Sequence, residues 1–235
     1  MKEDFSNMYE LIESNKDFLI IYKKPNASFH SENNECGLFE TVKQCEGLQE
    51  LYPVHRLDKV TSGILVMAKT AAANQELVKQ FKDRDIEKYY LAISAKKPKK
   101  KQGLIKGDME AARRGAWKLL PTQLNPAITQ IFSSALGEGR RLFIVKPHSG
   151  KTHQIRVALK SIGAPIMGDI LYADAASCVD VDRVYLHAYS LAFTLVGKNY
   201  RFTELPREGS AFLNGEFTSA IQEFLNPWEL SWPKL

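Results

Sequence analysis

HRLDKVTSGILVMAK, running from His55 to Lys69, places one carboxylate between two cations at the start of an apolar run. Asp58 follows Arg56 by two residues and directly precedes Lys59, and a turn-like Thr-Ser-Gly separates these charges from the apolar residues 64–68. A short continuous apolar run after a glycine is typical of a strand that is buried on both faces. The stretch therefore predicts a buried β-strand with an acidic turn at its mouth.

The acidic turn has two interpretations. Nearby positive charge favours the carboxylate form of Asp58, so we expect this side chain to be ionised. At the rigid end of a strand it could act as a nucleophile, a general base or a cation ligand. The same residues could instead form a structural ion pair that fixes the turn, and this stretch alone favours that simpler interpretation.

Strand-like and helix-like patterns alternate along the rest of the chain. Period and turn signals predict helices and strands throughout. Thr70 is the expected N-cap of a helix whose inner face carries Leu77, Val78 and Phe81. The expected strands are 18–25, 64–68 and 88–94 and the hairpins 127–147 and 184–205; the expected helices are 37–51, one after 70, 152–162 and 219–225. These elements predict one α+β domain over residues 1–235, with a large, mostly antiparallel sheet and flanking helices.

Charge is unevenly distributed along the 235 residues. The whole chain carries +5 and each end, residues 1–35 and 204–235, carries −3, so the central residues 36–203 carry +11. A basic centre indicates a polyanionic partner, nucleic acid first. Within it, the lysine-rich stretch 96–101 is expected to be a loop, either merely solvated or facing RNA.

Composition also excludes several classes of protein. No apolar stretch reaches the roughly 18–20 residues of a membrane-spanning helix, and the N-terminus lacks the apolar region of a signal peptide, so we expect a cytoplasmic protein without a membrane partner. The three cysteines form no C-x-x-C pair and the histidines have no ligand spacing beside them, so no metal site is expected.

A second informative stretch runs from Lys146 to Tyr172. Its GKT ends like a phosphate-binding P-loop, but the glycine that such a loop needs is replaced by Val145, which argues against a nucleotide cofactor. What remains is a loop leading into a helix N-terminus, where backbone N–H groups and Lys151 could hold a phosphate. Arg156 lies about one turn into that helix, from where it could form a bidentate bridge to Asp58.

Four motifs together resemble the RluA-type pseudouridine synthases. Residues 55–70 resemble the family's H-R-L-D-x-x-T-S-G stretch, and IEKYYLAI, residues 86–93, is similar to its K-x-Y strand. SGKTHQIRVALKSIGAPIMGD, residues 149–169, resembles its T-G-R-T-H-Q-[IL]-R stretch, and LHAYSLAF, residues 186–193, its L-H-A-x-x-L-x-F. The resemblance spans a motif-bearing core of residues 18–203, followed by a C-terminal tail of residues 204–235.

The resemblance implies an RNA uridine isomerase with a central cleft, no cofactor and no metal. Because few residues precede the first expected strand, at Phe18, we expect a stand-alone catalytic domain without the S4-like RNA-binding domain that some relatives carry. The resemblance also implies that Asp58 is the catalytic aspartate, that Tyr90 stacks on the target base, and that Arg156 forms a salt bridge that orients Asp58. Arg56 would enter the gap left by a flipped uridine. Residues at the phosphate-binding helix start complete the implied RNA contacts: Lys151, Thr152 and His153. Whether Asp58 attacks the sugar, the base or a 2′-proton stays open.

The chain departs from the family pattern at several positions that the implied catalysis does not use. Ser149 and Lys151 replace a threonine and an arginine, Ala158 replaces a histidine, and residues 26–28 replace a glycine turn. A lysine holds a phosphate as a point charge, without the bidentate fork of arginine. These departures concern RNA contacts and loop shape, not the type of reaction.

The expected partner is a tRNA or rRNA stem-loop, because sequence-specific recognition of RNA usually targets loops and unstacked bases. The protein is expected to be a monomer. An alternative is a non-catalytic RNA-binding protein or RNA chaperone with the same fold. A hydrolase built on Ser149 or a cysteine lacks the required triad spacing. Trp228 and Trp232 in the tail are expected to pack onto the sheet rather than to bind a partner.

Overall fold

The computed structural model describes residues 7–31 and 36–235. The chain folds as two compact units, each built from two segments. The first contains the residues up to Glu87 together with Ala188–Leu205, and the second contains Lys88–His187 together with Pro206–Leu235. The predicted organisation as one domain therefore stays a prediction. Residues 1–6, part of the N-terminus examined for a signal peptide, lie outside the described residues.

Twelve strands and four α-helices are found within the described residues, and they confirm the predicted α+β class. The strands are β1 Tyr9–Ser14, β2 Phe18–Lys23, β3 Tyr52–Pro53, β4 Ser62–Ala68, β5 Glu87–Ser94, β6 Gln102–Gly107, β7 Met109–Ala111, β8 Trp117–Leu119, β9 Ala127–Ala135, β10 Arg141–Pro147, β11 Leu186–Leu195 and β12 Lys198–Thr203. The helices are α1 Leu38–Cys45, α2 Ala71–Asp83, α3 Gln154–Ser161 and α4 Gly215–Ala220. Short 3₁₀ turns occupy several of the connections.

In the first unit, the strands follow the order β1-β2-β4-β11, with β3 beside β4 and β12 beside β11. The pairs β1–β2, β2–β4, β3–β4 and β11–β12 are antiparallel. Both β2 and β4 are buried along their whole length, which confirms the strand predicted from the apolar run of residues 64–68. An aromatic cluster packs beneath this sheet, where the Phe18 ring meets those of Phe193 and Tyr200 edge-on.

Two expectations for the first unit are wrong. The first strand is β1 and not β2; its sequence YELIES is largely polar and only Tyr9 is buried, as on the edge of a sheet, so no apolar run marks it. Thr70 does cap α2 by accepting a hydrogen bond from the Ala73 N–H, and Leu77 is buried. Val78, however, is 40% exposed, because it lies one residue beyond the face that packs on the sheet.

In the second unit, antiparallel strands follow the order β5-β10-β9-β6, and β7 and β8 form a separate two-stranded ribbon. The predicted hairpin of residues 127–147 is thus confirmed. Helix α3 begins at Gln154 and not at Thr152, because His153 has a φ of 58°, outside the helical region. The final helix lies earlier than predicted, from Gly215 to Ala220, and a 3₁₀ turn continues it to Phe224.

The C-terminal tail packs onto the sheet of the second unit, as predicted. The rings of Trp228 and Trp232 lie 5.6 and 5.7 Å from the buried ring of Tyr89 on β5. Trp232 also contacts Phe132 on β9, with ring centroids 5.1 Å apart. The tail therefore covers one face of β5 and leaves the side chains of the opposite face, which include Tyr90, directed the other way.

Candidate active site

Asp58 lies in the loop that enters β4, in the first unit. The side chain is half-buried, whereas its neighbours Arg56 and Lys59 are exposed and Leu57 is buried. The turn is closed by the Thr61 N–H, which donates to the Asp58 carbonyl at 3.0 Å. Gly63 follows with a φ of 109°, and a Cβ there would lie 2.2 Å from the Ala188 carbonyl oxygen. Only glycine fits, which explains the glycine near the start of β4.

A buried lysine fixes the Asp58 turn from below. Lys23, at the end of β2, is fully buried, and its Nζ donates to the carbonyls of Lys59 at 2.8 Å and Thr61 at 2.7 Å. A third bond reaches the Lys24 carbonyl at 3.0 Å. Three hydrogen bonds satisfy the donors of an ammonium group and tie the turn to the sheet. The sequence signal of Lys23, a cation that directly follows an apolar strand, gave no reason to expect this role.

His55 fixes the other end of the loop. Its Nε2 accepts a hydrogen bond from the Val66 N–H of β4 at 3.3 Å, and its ring stacks on Phe81 of α2 with centroids 4.5 Å apart. The loop backbone is thus attached to secondary structure on both sides of Asp58. The arrangement holds a partly exposed carboxylate on a rigid support, which is what a catalytic group requires.

Tyr90 lies on β5, in the second unit. Its backbone pairs with Val145 of β10 and its side chain is half-buried. Lys88 is two residues earlier and therefore on the same face of the strand. The Lys88 Nζ lies 3.4 Å from the Ser149 carbonyl oxygen, and burial lowers the pKa of this lysine to about 8. Lys88 therefore connects the face that carries Tyr90 to the loop before α3.

The loop before α3 is held by Gln154, a residue that the sequence analysis did not single out. Its Oε1 accepts hydrogen bonds from the Ser149 hydroxyl at 2.7 Å and the Lys151 N–H at 3.1 Å. Its amide nitrogen donates to the carbonyl of Ile128 and the hydroxyl of Thr129, both at 3.1 Å. One buried side chain thus fixes the predicted phosphate-binding loop against β9, with Thr152 in the turn at its end.

Lys151 and His153 already have protein partners in this loop. The Lys151 ammonium group donates to the carbonyl of Asn125. His153 Nδ1 is hydrogen-bonded to the Tyr172 hydroxyl at 2.8 Å, and the two rings meet edge-on. The same hydroxyl accepts a bond from the Trp117 N–H at 2.9 Å, so Tyr172 joins α3 to the β7–β8 ribbon.

Arg156 is buried on α3 and held by Asp169. Its Nε and one terminal nitrogen donate to the two carboxylate oxygens of Asp169 at 2.7 and 2.8 Å, which forms a bidentate bridge. Both residues are buried, with 6% of Arg156 and 0% of Asp169 exposed. The Tyr172 ring covers the guanidinium, with 5.0 Å between the carbon of that group and the ring centroid. Bidentate geometry and stacking fix the orientation of an arginine side chain.

Asp169 was not predicted as a site residue, because in the sequence it stands only at the end of a motif. Gly168 before it has a φ of 80°, and a Cβ there would lie 2.1 Å from the Arg183 carbonyl oxygen, so the Gly-Asp pair marks a tight backbone approach. The sequence signal that could have identified Asp169 is an aspartate directly after such a glycine, thirteen residues beyond the arginine that it binds.

The predicted site residues therefore form two groups. Arg56 and Asp58 share one loop of the first unit, and Tyr90, Lys151, Thr152, His153 and Arg156 lie in the second unit, around β5 and the start of α3. The predicted bridge between Arg156 and Asp58 stays a prediction. Over residues 7–31 and 36–235, no three acidic, histidine or cysteine side chains gather in a way that could hold a metal ion, and no helix is long and apolar enough to cross a membrane.

Comparisons with known proteins agree with one another. Residues 17–161 match the RNA pseudouridylate synthase family. The chain is 45% identical to an uncharacterized RNA pseudouridine synthase of Haemophilus influenzae over 92% of this chain and 96% of that protein. It is 35% identical to the dual-specificity RNA pseudouridine synthase RluA of Escherichia coli over 63% and 70% of the two chains. The fold resembles human RNA pseudouridylate synthase domain containing 1, with a TM-score of 0.72 at 22% identity and coverage of 87% and 86%.

Proposed function

Since the chain belongs to the RNA pseudouridylate synthase family, we propose that it isomerises one chosen uridine in a tRNA or rRNA stem-loop. The isomerase activity on RNA follows from the family; the kind of RNA is the proposal. It is supported by the +11 charge of the central residues and by the general rule that sequence-specific RNA recognition targets loops with unstacked bases.

The reaction is internally balanced and needs no co-reactant. The N1–C1′ bond of uridine breaks, the base rotates, and a C5–C1′ bond forms. The proton lost from C5 is matched by the one that N1 gains. Because C1′ is inaccessible while the base is stacked in a helix, the nucleotide must first be flipped out, which costs a few kcal/mol.

Asp58 supplies the catalytic carboxylate in this proposal. The observation that carries the assignment is the match of residues 55–70 to the family motif, on a loop whose backbone is fixed at Val66, Lys59 and Thr61 while the carboxylate stays partly exposed. Tyr90 stacks on the flipped base and serves as a base for the C5 proton. Arg156 presents a guanidinium whose orientation Asp169 fixes. Its proposed role is to pair with the Asp58 carboxylate and orient it.

RNA contacts are assigned to the residues around these groups. Arg56, exposed and two residues from Asp58, fills the gap left by the flipped uridine, since a guanidinium plane stacks well between bases. Lys151, Thr152 and His153 bind phosphate at the start of α3. The protein acts as a monomer in the cytoplasm and needs neither metal nor nucleotide cofactor.

The proposal is tested by the hydrogen that leaves C5. RNA labelled with tritium at C5 of uridine is isolated from cells that lack the gene, so that the target site is unmodified. The purified protein is expected to release tritium in an amount that corresponds to a single site in one RNA species, and fractionation then identifies tRNA or rRNA. Release only from other RNAs, or none at all, would contradict the proposed substrate or activity respectively.

A further inference from the structure

The lysine-rich stretch 96–101 forms a loop that contacts β5 and α3, the strand and the helix of the second unit that carry Tyr90 and Arg156. It follows directly from β5, the strand of Tyr90. It is also bonded to the end of α3, the helix of Arg156, because the Lys99 N–H donates to the Ile162 carbonyl at 2.8 Å. The position of the loop relative to these two elements is therefore set by the fold.

Further hydrogen bonds fix the loop at both ends. The Ser94 hydroxyl donates to the Pro165 carbonyl at 2.7 Å and accepts from the Lys96 N–H at 3.1 Å. At the other end, the Ser133 hydroxyl donates to the Lys101 carbonyl at 2.8 Å. A loop that only carried solubilising charge would not require such anchoring. Here the backbone is held while the lysine side chains remain exposed.

Most of the charge of the loop is not neutralised by the protein. Lys96 is paired with Asp174, and this ammonium group, with a smaller contribution from Lys160, keeps the pKa of Asp174 below its usual range. Among the described residues, the other four lysines of the loop have no carboxylate partner: Lys97, Lys99, Lys100 and Lys101. Four like charges within five residues repel one another, and a bound polyanion would relieve that repulsion.

We propose that these four lysines form a second RNA-binding surface, here called the lysine surface, which binds backbone phosphates outside the reacting nucleotide. The C-terminal end of α3 attracts cations through the helix dipole and so favours their clustering there. From Gln154 to Ile162 the helix axis advances about 12 Å, at about 1.5 Å per residue. RNA that lies at the start of α3 would thus reach the loop within a few nucleotides.

The lysine surface deepens the proposed function and rests on it, because it assumes that RNA is bound at the start of α3. Its contacts are to phosphates, which carry no sequence information and strengthen binding of substrate and transition state alike. It should therefore determine affinity for RNA, and hence KM, without changing the chemical step. Loss of such contacts also lowers the salt dependence of binding, because fewer counterions are released.

The test replaces the four lysines by glutamine, which removes the charge and keeps a polar, though shorter, side chain. The control variant makes the same change at four lysines of the first unit: Lys16, Lys43, Lys82 and Lys198. Binding of bulk tRNA is measured against salt concentration, and kcat and KM are measured by tritium release. For the loop variant we expect the slope of log K against log salt to fall by about three, KM to rise by about tenfold, and kcat to stay within about twofold.

In the control variant, we expect a markedly smaller fall in the salt slope and a markedly smaller rise in KM than in the loop variant. A variant with arginine at all four positions restores the charge and should bind like the wild type, which distinguishes charge from misfolding. Three results would each contradict the proposed lysine surface. They are equal changes of salt slope and KM in the loop and control variants, an unchanged salt slope in the loop variant, and a fall in its kcat at constant KM. If the wild type released no tritium, the proposed function would fail, and the salt slopes would still test the surface.

Discussion

Asp58 and Arg156, the two charged residues given catalytic roles, are held in opposite ways. Around Asp58 the protein fixes the backbone, through Lys23 and His55, and leaves the carboxylate partly exposed. Around Arg156 it fixes the side chain itself, in a buried bidentate bridge to Asp169 under the ring of Tyr172. The difference suits a division of labour, in which a group that meets substrate must be accessible and a group that orients it must be rigid.

The largest expected effect is that of Asp58→Asn. If this carboxylate takes part in the chemistry, the substitution should lower the rate of tritium release by about 10³-fold or more while RNA affinity changes little. Asp85→Asn, at an exposed acid of the same unit, is the matched control and should retain full activity. Turnover by Asp58→Asn near the wild-type rate would show that the Asp58 carboxylate is not the catalytic group.

Asp169→Asn tests whether the buried bridge to Asp169 fixes the Arg156 side chain. It leaves a buried guanidinium without its counter-charge, which typically costs about 3–5 kcal/mol of unfolding free energy. We expect a loss of that order in denaturant unfolding, together with a fall in kcat that exceeds any rise in KM. Asp174→Asn breaks the exposed bridge to Lys96 and should leave the stability nearly unchanged, because solvent screens an exposed ion pair. If the two variants were equally stable, the buried bridge would not be what fixes Arg156.

Lys23→Met probes the support beneath the Asp58 turn. The variant keeps the apolar stem but leaves the buried carbonyl of Thr61, and its neighbours, without their donor, so we expect a loss of about 2 kcal/mol in stability. Because the turn loosens, kcat should also fall. Lys24→Met, whose ammonium lies 4.0 Å from Glu10, serves as control and should alter neither. A stable variant with reduced kcat would separate the positioning role from the structural one.

The smallest effect is expected for Tyr172→Phe. The ring over Arg156 is retained, whereas the hydroxyl that bonds His153 and accepts from Trp117 is lost. We expect a loss of about 1 kcal/mol in unfolding free energy and a less than tenfold change in kcat. A larger loss of activity than that of Asp169→Asn would show that the hydroxyl network, and not the ion pair, holds the arginine.

Much of the molecule could be predicted from local pattern, and the failures have physical causes. The buried strand after Gly63 and the Thr70 cap leave direct signals, because apolar runs and capping residues act over a few positions. The roles of Lys23, Gln154 and Asp169 depend on partners brought near by the fold. Lys23 reaches carbonyls 36 and 38 residues away, and no short motif encodes such a contact. The edge strand β1 was missed because only one of its six residues is buried, so no apolar run marks it.

The central claim, that this chain isomerises a uridine through the Asp58 carboxylate, is tested most directly by pseudouridine mapping in cells that lack the gene. Total RNA is mapped after expression of the wild type or of Asp58→Asn, at matched protein levels. The wild type should restore at least one pseudouridine in a tRNA or rRNA, and Asp58→Asn should restore none. Restoration of the same site by both proteins would contradict the account.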